Sequence, residues 1–316
     1  MISLRYHVVS VTAVFLALAV GVVLGSTAIS GRLLSGLSST RDDLGRQVSD
    51  LQADGNAQRA QLADANTFAL AVGPRVVRDA LRGRSVVVIT TADAAPADRD
   101  ALIALLGSAG ATVTGKLQLT EAFSDPLRGD QLSELAARLL PAGVQLPVTP
   151  DAGTQAGGLL GALLLLDPRS GRPQASPVET AAALAGLGDG GFVRVDRPIQ
   201  PAQLAVVLTG GTASRDMVDE SKGDRGGVLA RFATQLDRSG AGAVLAGGPG
   251  SAEGNGPIAV IRADTAATSV LSTVDDINTA AGRVVTVLAL AEQGQGRAGR
   301  YGTAGNAQAV APSVGG

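Results

Sequence analysis

From Val8 to Ile29 the chain carries no Asp, Glu, Lys or Arg, and the wider uncharged stretch runs from Tyr6 to Gly31. At about 1.5 Å per residue a helix of that length crosses a hydrocarbon core of roughly 30 Å. Lipid leaves no partner for loose backbone polar groups, so the segment must be helical. Ala17-Leu18-Ala19 has the small-x-small form that a signal peptidase accepts, but the apolar run continues well past it. The reading is an uncleaved signal anchor. Arg5 flanks the run on one side; Arg32, Arg41 and Arg46, mixed with Asp42 and Asp43, flank it on the other. A strict count of basic residues places the second flank inside, yet long C-terminal domains translocate largely regardless of charge. The short basic start followed by an apolar run favours an extracytoplasmic C-terminal domain.

Within the run, Ala13, Ala17, Gly21 and Gly25 recur at every fourth position and line one stripe of the helix. Gly21-Val22-Val23-Leu24-Gly25 is a GxxxG element, which lets two helices approach closely in lipid. This predicts a homo-oligomer assembled through the stripe. Past the run, one heptad frame places Leu34, Arg41, Val48, Gly55, Leu62 and Ala69 at a, and Leu37, Leu44, Leu51, Gln58 and Ala65 at d. Leu34, Leu37, Leu44, Val48, Leu51 and Leu62 then form a seam broken by Arg41, Gly55 and Gln58. The pattern predicts a short, imperfect coiled coil, with Gly73-Pro74 as its break.

Beyond Gly83 the pattern changes. Ser85-Val86-Val87-Val88-Ile89 is a β-branched run of the buried-strand kind. Helical spacing follows at 96–109, a strand at 111–119, and helices at 129–140, 154–166 and 178–187. Strands at 192–195, 204–208 and 243–245 bracket a helix at 226–238; 284–290 fits either a helix or a strand. The fold class is therefore α/β: a single N-terminal transmembrane helix, a coiled-coil-like stalk and an α/β sandwich domain with a largely parallel sheet. The expected divisions are a flank at 1–7, a transmembrane helix at 8–29, a stalk at 30–73, an α/β domain at 74–292 and a tail at 293–316. Two half-domains meeting near 168–177 and one continuous sheet both fit. The tail, rich in Gly, Ala and Gln, reads as disordered.

Chemistry is sparsely supplied. The chain has no Cys, one His (His7) and two Met (Met1 and Met217). Thiolate catalysis and thiolate metal sites are excluded, and a tight copper site within one protomer lacks soft ligands. No hydrolase triad can be assembled, and the adjacent Ser221 and Lys222 do not make a dyad; the expectation is no enzyme, no catalytic residue and no bound cofactor. A formal net charge of -2 leaves no footprint for nucleic acid. Aromatic residues make up 2% of the chain, too few for the girdles of a porin-like barrel. Thr209-Gly210-Gly211 and Ala246-Gly247-Gly248 follow apolar strands and read as structural turns before anion-binding ones. Asp275-Asp276 reads as a solvated turn before a hard-cation site.

Met1-Ile2-Ser3-Leu4-Arg5 with His7; Ala13 to Ala19; Gly21 to Ser26; Arg75-Val76-Val77; Asp79-Ala80-Leu81 with Gly83; and Ser85-Val86-Val87 together resemble the mycobacterial MctB copper-transporter family. Gln155-Ala156-Gly157, Thr209-Gly210-Gly211 and Ala230-Arg231-Phe232-Ala233 are similar too. The most distinctive is Ser272-Thr273-Val274-Asp275-Asp276-Ile277, followed by Gly282-Arg283, Leu288-Ala289-Leu290 and Tyr301-Gly302-Thr303. The resemblance implies copper transport or efflux at the cell envelope, with copper as a transported ion and a pore role in the outer membrane. It supplies no ligand residue: the metal-site residues stay unknown. One transmembrane helix per protomer cannot enclose a pore, so the implied pore needs an oligomer. The reading that competes with transport is a non-enzymatic, single-pass scaffold or regulator that recruits an envelope protein partner of the cell-wall or division machinery.

Overall fold

Val86, Val87, Val88 and Ile89 are completely buried, as their uninterrupted apolar run requires of a strand covered on both faces. They form β1 (Ser85–Thr90) in a computed structural model that describes residues 4–149, 151–211 and 224–313. The side chains of residues 4, 26–40 and 42 lie outside the description. The chain divides into two units, Met1–Ala65 and Asn66–Gly316.

The first unit belongs to α1 (Leu4–Val76). Its stretch Arg5–Gly25 has a mean hydropathy of 2.6 and no buried residue, so by length and composition it can cross a membrane. The last turns of α1 belong to the second unit. Gly73-Pro74 does not break the helix as expected: it runs on to Val76, and Val77 N–H donates to Gly73 C=O at 3.1 Å. The missing N–H of Pro74 costs one bond near the helix end, where little ladder follows. Gly73 serves packing, since a Cβ there would stand 2.8 Å from Val284 Cγ2.

The second unit continues with α2 (Pro96–Ser108), β2 (Thr112–Leu119), α3 (Gly129–Arg138), α4 (Ala152–Leu164), α5 (Pro177–Asp189), β3 (Val193–Arg194) and β4 (Leu204–Thr209). Then come α6 (Arg225–Ser239), β5 (Ala243–Gly247), α7 (Pro257–Ala263), α8 (Thr265–Thr268), β6 (Ser272–Val274), α9 (Ala280–Gln293) and β7 (Arg300–Tyr301). The strands form one sheet in the order β3-β2-β1-β4-β5-β6-β7. Only the β2–β3 pairing at one edge is antiparallel. The continuous sheet, of the two arrangements the sequence allowed, is the one found. The segment 284–290 lies in α9.

Alternate residues of β1 feed two cores. Val87 and Ile89 join a cluster with α3 to α8, while Val86 and Val88 join one with Val77 and Leu81 after α1, and with α2 and α9. Helices thus cover both faces. Burying each of these side chains contributes about 1.5–3 kcal/mol. The closest helix pair is α4 on α6. Gly153, Gly157 and Gly161 recur at every fourth position of α4, where a Cβ would meet Val228 O at 2.4 Å, Phe232 O at 2.7 Å and Ser239 Cβ at 2.4 Å. Side chains cap several helix starts: Ser176 and Glu179 form a capping box on α5, and Thr279 Oγ1 accepts the Gly282 N–H of α9 at 2.9 Å.

The tail corrects an expectation. Composition predicted disorder over 293–316, yet Arg300–Tyr301 adds a parallel strand to β6, and Tyr301 bridges to Ala309. Its order comes from polar contacts made by residues of other elements, described below.

Candidate functional site

β1 and β4 are parallel neighbours whose chain connections leave in opposite directions, β1 toward β2 and β4 toward β5. Such a reversal opens a crevice beyond the carboxyl ends of the strands. Here it is a cavity of about 210 Å³, lined by Asp93, Asp98, Thr209, Gly210, Gly248 and Asn278 among others. Asp98, in the first turn of α2, accepts a bond from Arg283 Nη1 at 3.0 Å, and the same nitrogen donates to Ile277 C=O at 3.1 Å. Burial raises the Asp98 carboxyl above its usual range, against the pull of Arg283. Thr91 Oγ1 donates to Asp93 and, at 3.2 Å, to Leu208 C=O, tying the loop after β1 to β4.

The two glycine turns meet at this crevice. A Cβ on Gly210 would stand 2.0 Å from Asp93 O, and one on Gly248 would stand 2.5 Å from Gly210 O. They are packing turns in which backbone lies on backbone. Its polar groups are carboxylate, hydroxyl and amide, set beside Ala94, Ala95, Leu208, Pro249 and Ile277, and such groups do not suit Cu(I). Among the described residues no group of three or more His, Cys, Asp or Glu could hold a metal. Met217, Ser221 and Lys222 lie outside the described residues; His7 sits exposed on α1.

The Asp275-Asp276 pair is not the solvated turn expected: both residues are buried. Their place at the end of β6, under the tail, removes them from water. The Asp275 side chain is 3% exposed and accepts from Arg262 Nη1 at 2.6 Å; the Arg262 side chain is 1% exposed. Arg262 also donates from Nη2 to Tyr301 C=O (2.7 Å), from Nη1 to Asn306 Oδ1 (2.7 Å) and from Nε to Thr273 Oγ1 (3.1 Å). Asp275 Oδ1 accepts the N–H groups of Thr303 (2.8 Å) and Ala304 (3.1 Å). Gly302 has φ +127 and lies over this carboxylate, so that a Cβ would stand 2.3 Å from Oδ1. Ser272–Ile277 and Tyr301-Gly302-Thr303 are therefore two halves of one buried network. Arg262 was missed by sequence reasoning; the available signal was a lone charge after the apolar run Pro257–Ile261.

Asp276 faces the other way along the turn. Its C=O accepts Thr279 Oγ1 at 2.9 Å, and its Oδ1 is buried with no hydrogen-bond partner among the described residues. Burial, reinforced by the neighbouring Asp275 charge, raises its carboxyl above the usual range. The pair offers one spent carboxylate and one enclosed one, and the spent one serves as a structural joint.

On α1, Ala13, Ala17 and Gly21 are exposed and Gly25 is half-buried; a Cβ on Gly21 or Gly25 would meet nothing within 4 Å. Of the seam, Leu44, Val48, Leu51 and Leu62 are 56%, 53%, 70% and 71% exposed. The side chains of Leu34 and Leu37 lie outside the described residues. The structure holds a single chain, and no coiled-coil pairing is seen in it.

A family model described as "Copper transport outer membrane protein, MctB" matches residues 1–312. A protein of Mycobacterium tuberculosis strain H37Rv named "Copper transporter MctB" is 42% identical over 99% of this chain and 100% of its own length. Its namesake in Mycobacterium bovis stands at the same values, and that of Mycobacterium leprae is 39% identical over 98% of this chain and 99% of its own length.

Proposed function

The chain belongs to the MctB family, and from that membership we propose that it serves copper transport at the cell envelope as a membrane-anchored oligomer. The observation that carries the reading is likeness over nearly the whole chain, anchor and head together, to relatives named copper transporters. In this reading Arg5–Gly25 is the anchor and the α/β head is extracytoplasmic. One helix encloses no lumen, so a conducting form needs several copies, brought together by the Ala13, Ala17, Gly21, Gly25 stripe and the Leu34 to Leu62 seam. The chain has no Cys, and the polar groups of the head's crevice do not suit Cu(I). Copper is therefore a passing ion, not a tightly held cofactor, and the role is non-enzymatic. Deleting the gene and measuring cell copper and copper tolerance tests this. Raised copper with lowered tolerance supports it; unchanged values remove it.

The shortage of soft ligands in the chain, which has no Cys and one His, favours a second reading, a single-pass scaffold that recruits an envelope protein. Crosslinking and pull-down from membranes separates the two: a stoichiometric envelope partner without a copper phenotype selects the scaffold.

A further inference from the structure

We infer that residues 44–62 of α1 pair with the same segment of a second copy as a parallel, in-register, two-stranded coil, flanked by Asp54 of each copy against Arg59 of the other. The inference deepens the oligomer proposed above and rests on that reading.

Three observations carry it. The apolar positions Leu44, Val48, Leu51 and Leu62 are more than half exposed on a helix that offers them no intrachain partner face. Left so, each keeps apolar area in water that pairing would bury. Asn66, whose Oδ1 accepts the Ala280 N–H at 2.7 Å, and Gly73, which abuts Val284, lie in the second unit, C-terminal to this segment.

Charge fixes the direction. In a parallel pair each g residue faces the e residue five positions on in the other chain. The g positions are Gln47, Asp54 and Gln61; the e positions are Gly45, Gln52 and Arg59. Asp54 therefore meets Arg59 of the second copy, twice by symmetry, and Gln47 meets Gln52. No like charges face each other. An antiparallel pair sets e against e and g against g, which gives Arg59 no acid. The bilayer acts in the same sense. Two anchors inserted with one orientation leave the membrane side by side, which sets a parallel direction and zero offset.

Register is also set from within. Gln58 occupies a d position, and in register its amide meets the same amide across the axis. A shift of one heptad would place it against Leu51 or Ala65 and bury an unsatisfied amide. Gly55 and Gln58 make the coil weak, and an exposed ion pair selects register more than it adds affinity. Pairing then depends on confinement in the membrane, where the anchors raise the local concentration of stalks.

The chain has no native cysteine, so single-cysteine variants of the full-length protein report proximity cleanly. Membranes carrying Leu51→Cys (a d position) are oxidised with diamide beside membranes carrying Ala53→Cys (an f position). Leu51→Cys should give at least about fivefold more disulfide-linked dimer, since a d position faces the other chain within bridging reach and an f position faces away. Adding Asp54→Arg to Leu51→Cys should lower that yield several-fold, and adding Arg59→Asp as well should restore it. Equal yields at 51 and 53, or no restoration by the charge swap, overturns the coil. Copper content is measured in the same cells. A copper phenotype without Leu51→Cys dimers removes the coil and leaves transport standing. Dimers without a copper phenotype sustain the coil and remove transport.

Discussion

Arg262→Met should be among the most damaging single substitutions in the head. Met fills much of the same space but removes the four side-chain bonds that Arg262 makes to Thr273, Asp275, Tyr301 and Asn306. It also leaves the Asp275 carboxylate, 3% exposed, with backbone N–H partners but no counter-charge. Breaking a buried pair from one side costs about 3–5 kcal/mol. For a domain of this size each kcal/mol corresponds to roughly 2–4 °C, so the melting temperature should fall by about 6–20 °C. Calorimetry of the full-length protein in detergent measures this. Limited proteolysis should at the same time show earlier cleavage after the 294–299 stretch, because β7 is held by the same guanidinium.

The double variant Arg262→Met/Asp275→Asn is the sharper test. It removes both charges while the Asn oxygen still accepts from Thr303 and Ala304. It should recover at least about 2 kcal/mol of the loss, because the stranded charge is gone. A single variant that melts within about 2 °C of the parent, or a double variant whose loss is the plain sum of the single ones, would refute the reasoning.

Three further outcomes are expected. Burial pushes the Asp237 carboxyl up to about 7, against the Ala243 N–H that donates to it at 2.6 Å and the nearby Arg238. The protonated form is the one the fold prefers, so this group's contribution to stability is full below the ordinary carboxylate range and is lost as pH rises through about 7, a swing of about 4 kcal/mol. Asp237→Asn, less a cost of about 1–3 kcal/mol for its buried amide, should be the more stable protein at pH 8 and not at pH 4; parallel pH–melting curves would contradict it. Gly157→Ala should destabilise by about 1–3 kcal/mol, as its methyl meets the Phe232 carbonyl at 2.7 Å; a neutral result in denaturant titration would show that α4 can shift from α6 at little cost. Ser176→Ala should cost about 1 kcal/mol by opening the capping box on α5, and loss of amide protection confined to the first turn of α5 is the exchange signature to look for.

What was legible in the sequence was whatever each segment determines for itself. Ser85–Thr90, Leu204–Thr209 and Ala243–Gly247 have apolar runs long enough to announce buried strands, and the anchor announces itself by the lack of charge. β6 and β7, of three and two residues, are too short to carry a period. The tail's composition argued for disorder, but its order is supplied by Arg262 and Asp275, which belong to other elements. The Asp275-Asp276 pair was placed wrongly in water, because burial is decided by what folds over a turn. The crevice was half legible: both glycine turns follow strands, but their meeting needs the strand order, which puts β1 between β2 and β4.

One pattern occurs twice and was read only once. Small residues at every fourth position mark the anchor at Ala13, Ala17, Gly21 and Gly25, and they mark α4 at Gly153, Gly157 and Gly161. In α4 the stripe has its partner, α6, whose backbone meets Gly153 and Gly157 and whose Ser239 side chain meets Gly161, at distances that exclude a side chain. The spacing therefore reports close approach of two helices, and it does so here inside the α/β unit. At Gly21 and Gly25 an added Cβ would meet nothing within 4 Å, so a partner for that stripe is either lipid or a helix of another molecule. Gly21→Leu and Gly25→Leu in a membrane dimerisation reporter distinguish the two. If a helix lies there, each leucine forces the backbones apart and the signal should drop several-fold, because contact without bulky side chains is what GxxxG pairing uses. If only lipid lies there, leucine is as well solvated as glycine and the signal should stay unchanged, which would leave the stalk to assemble the protein on its own.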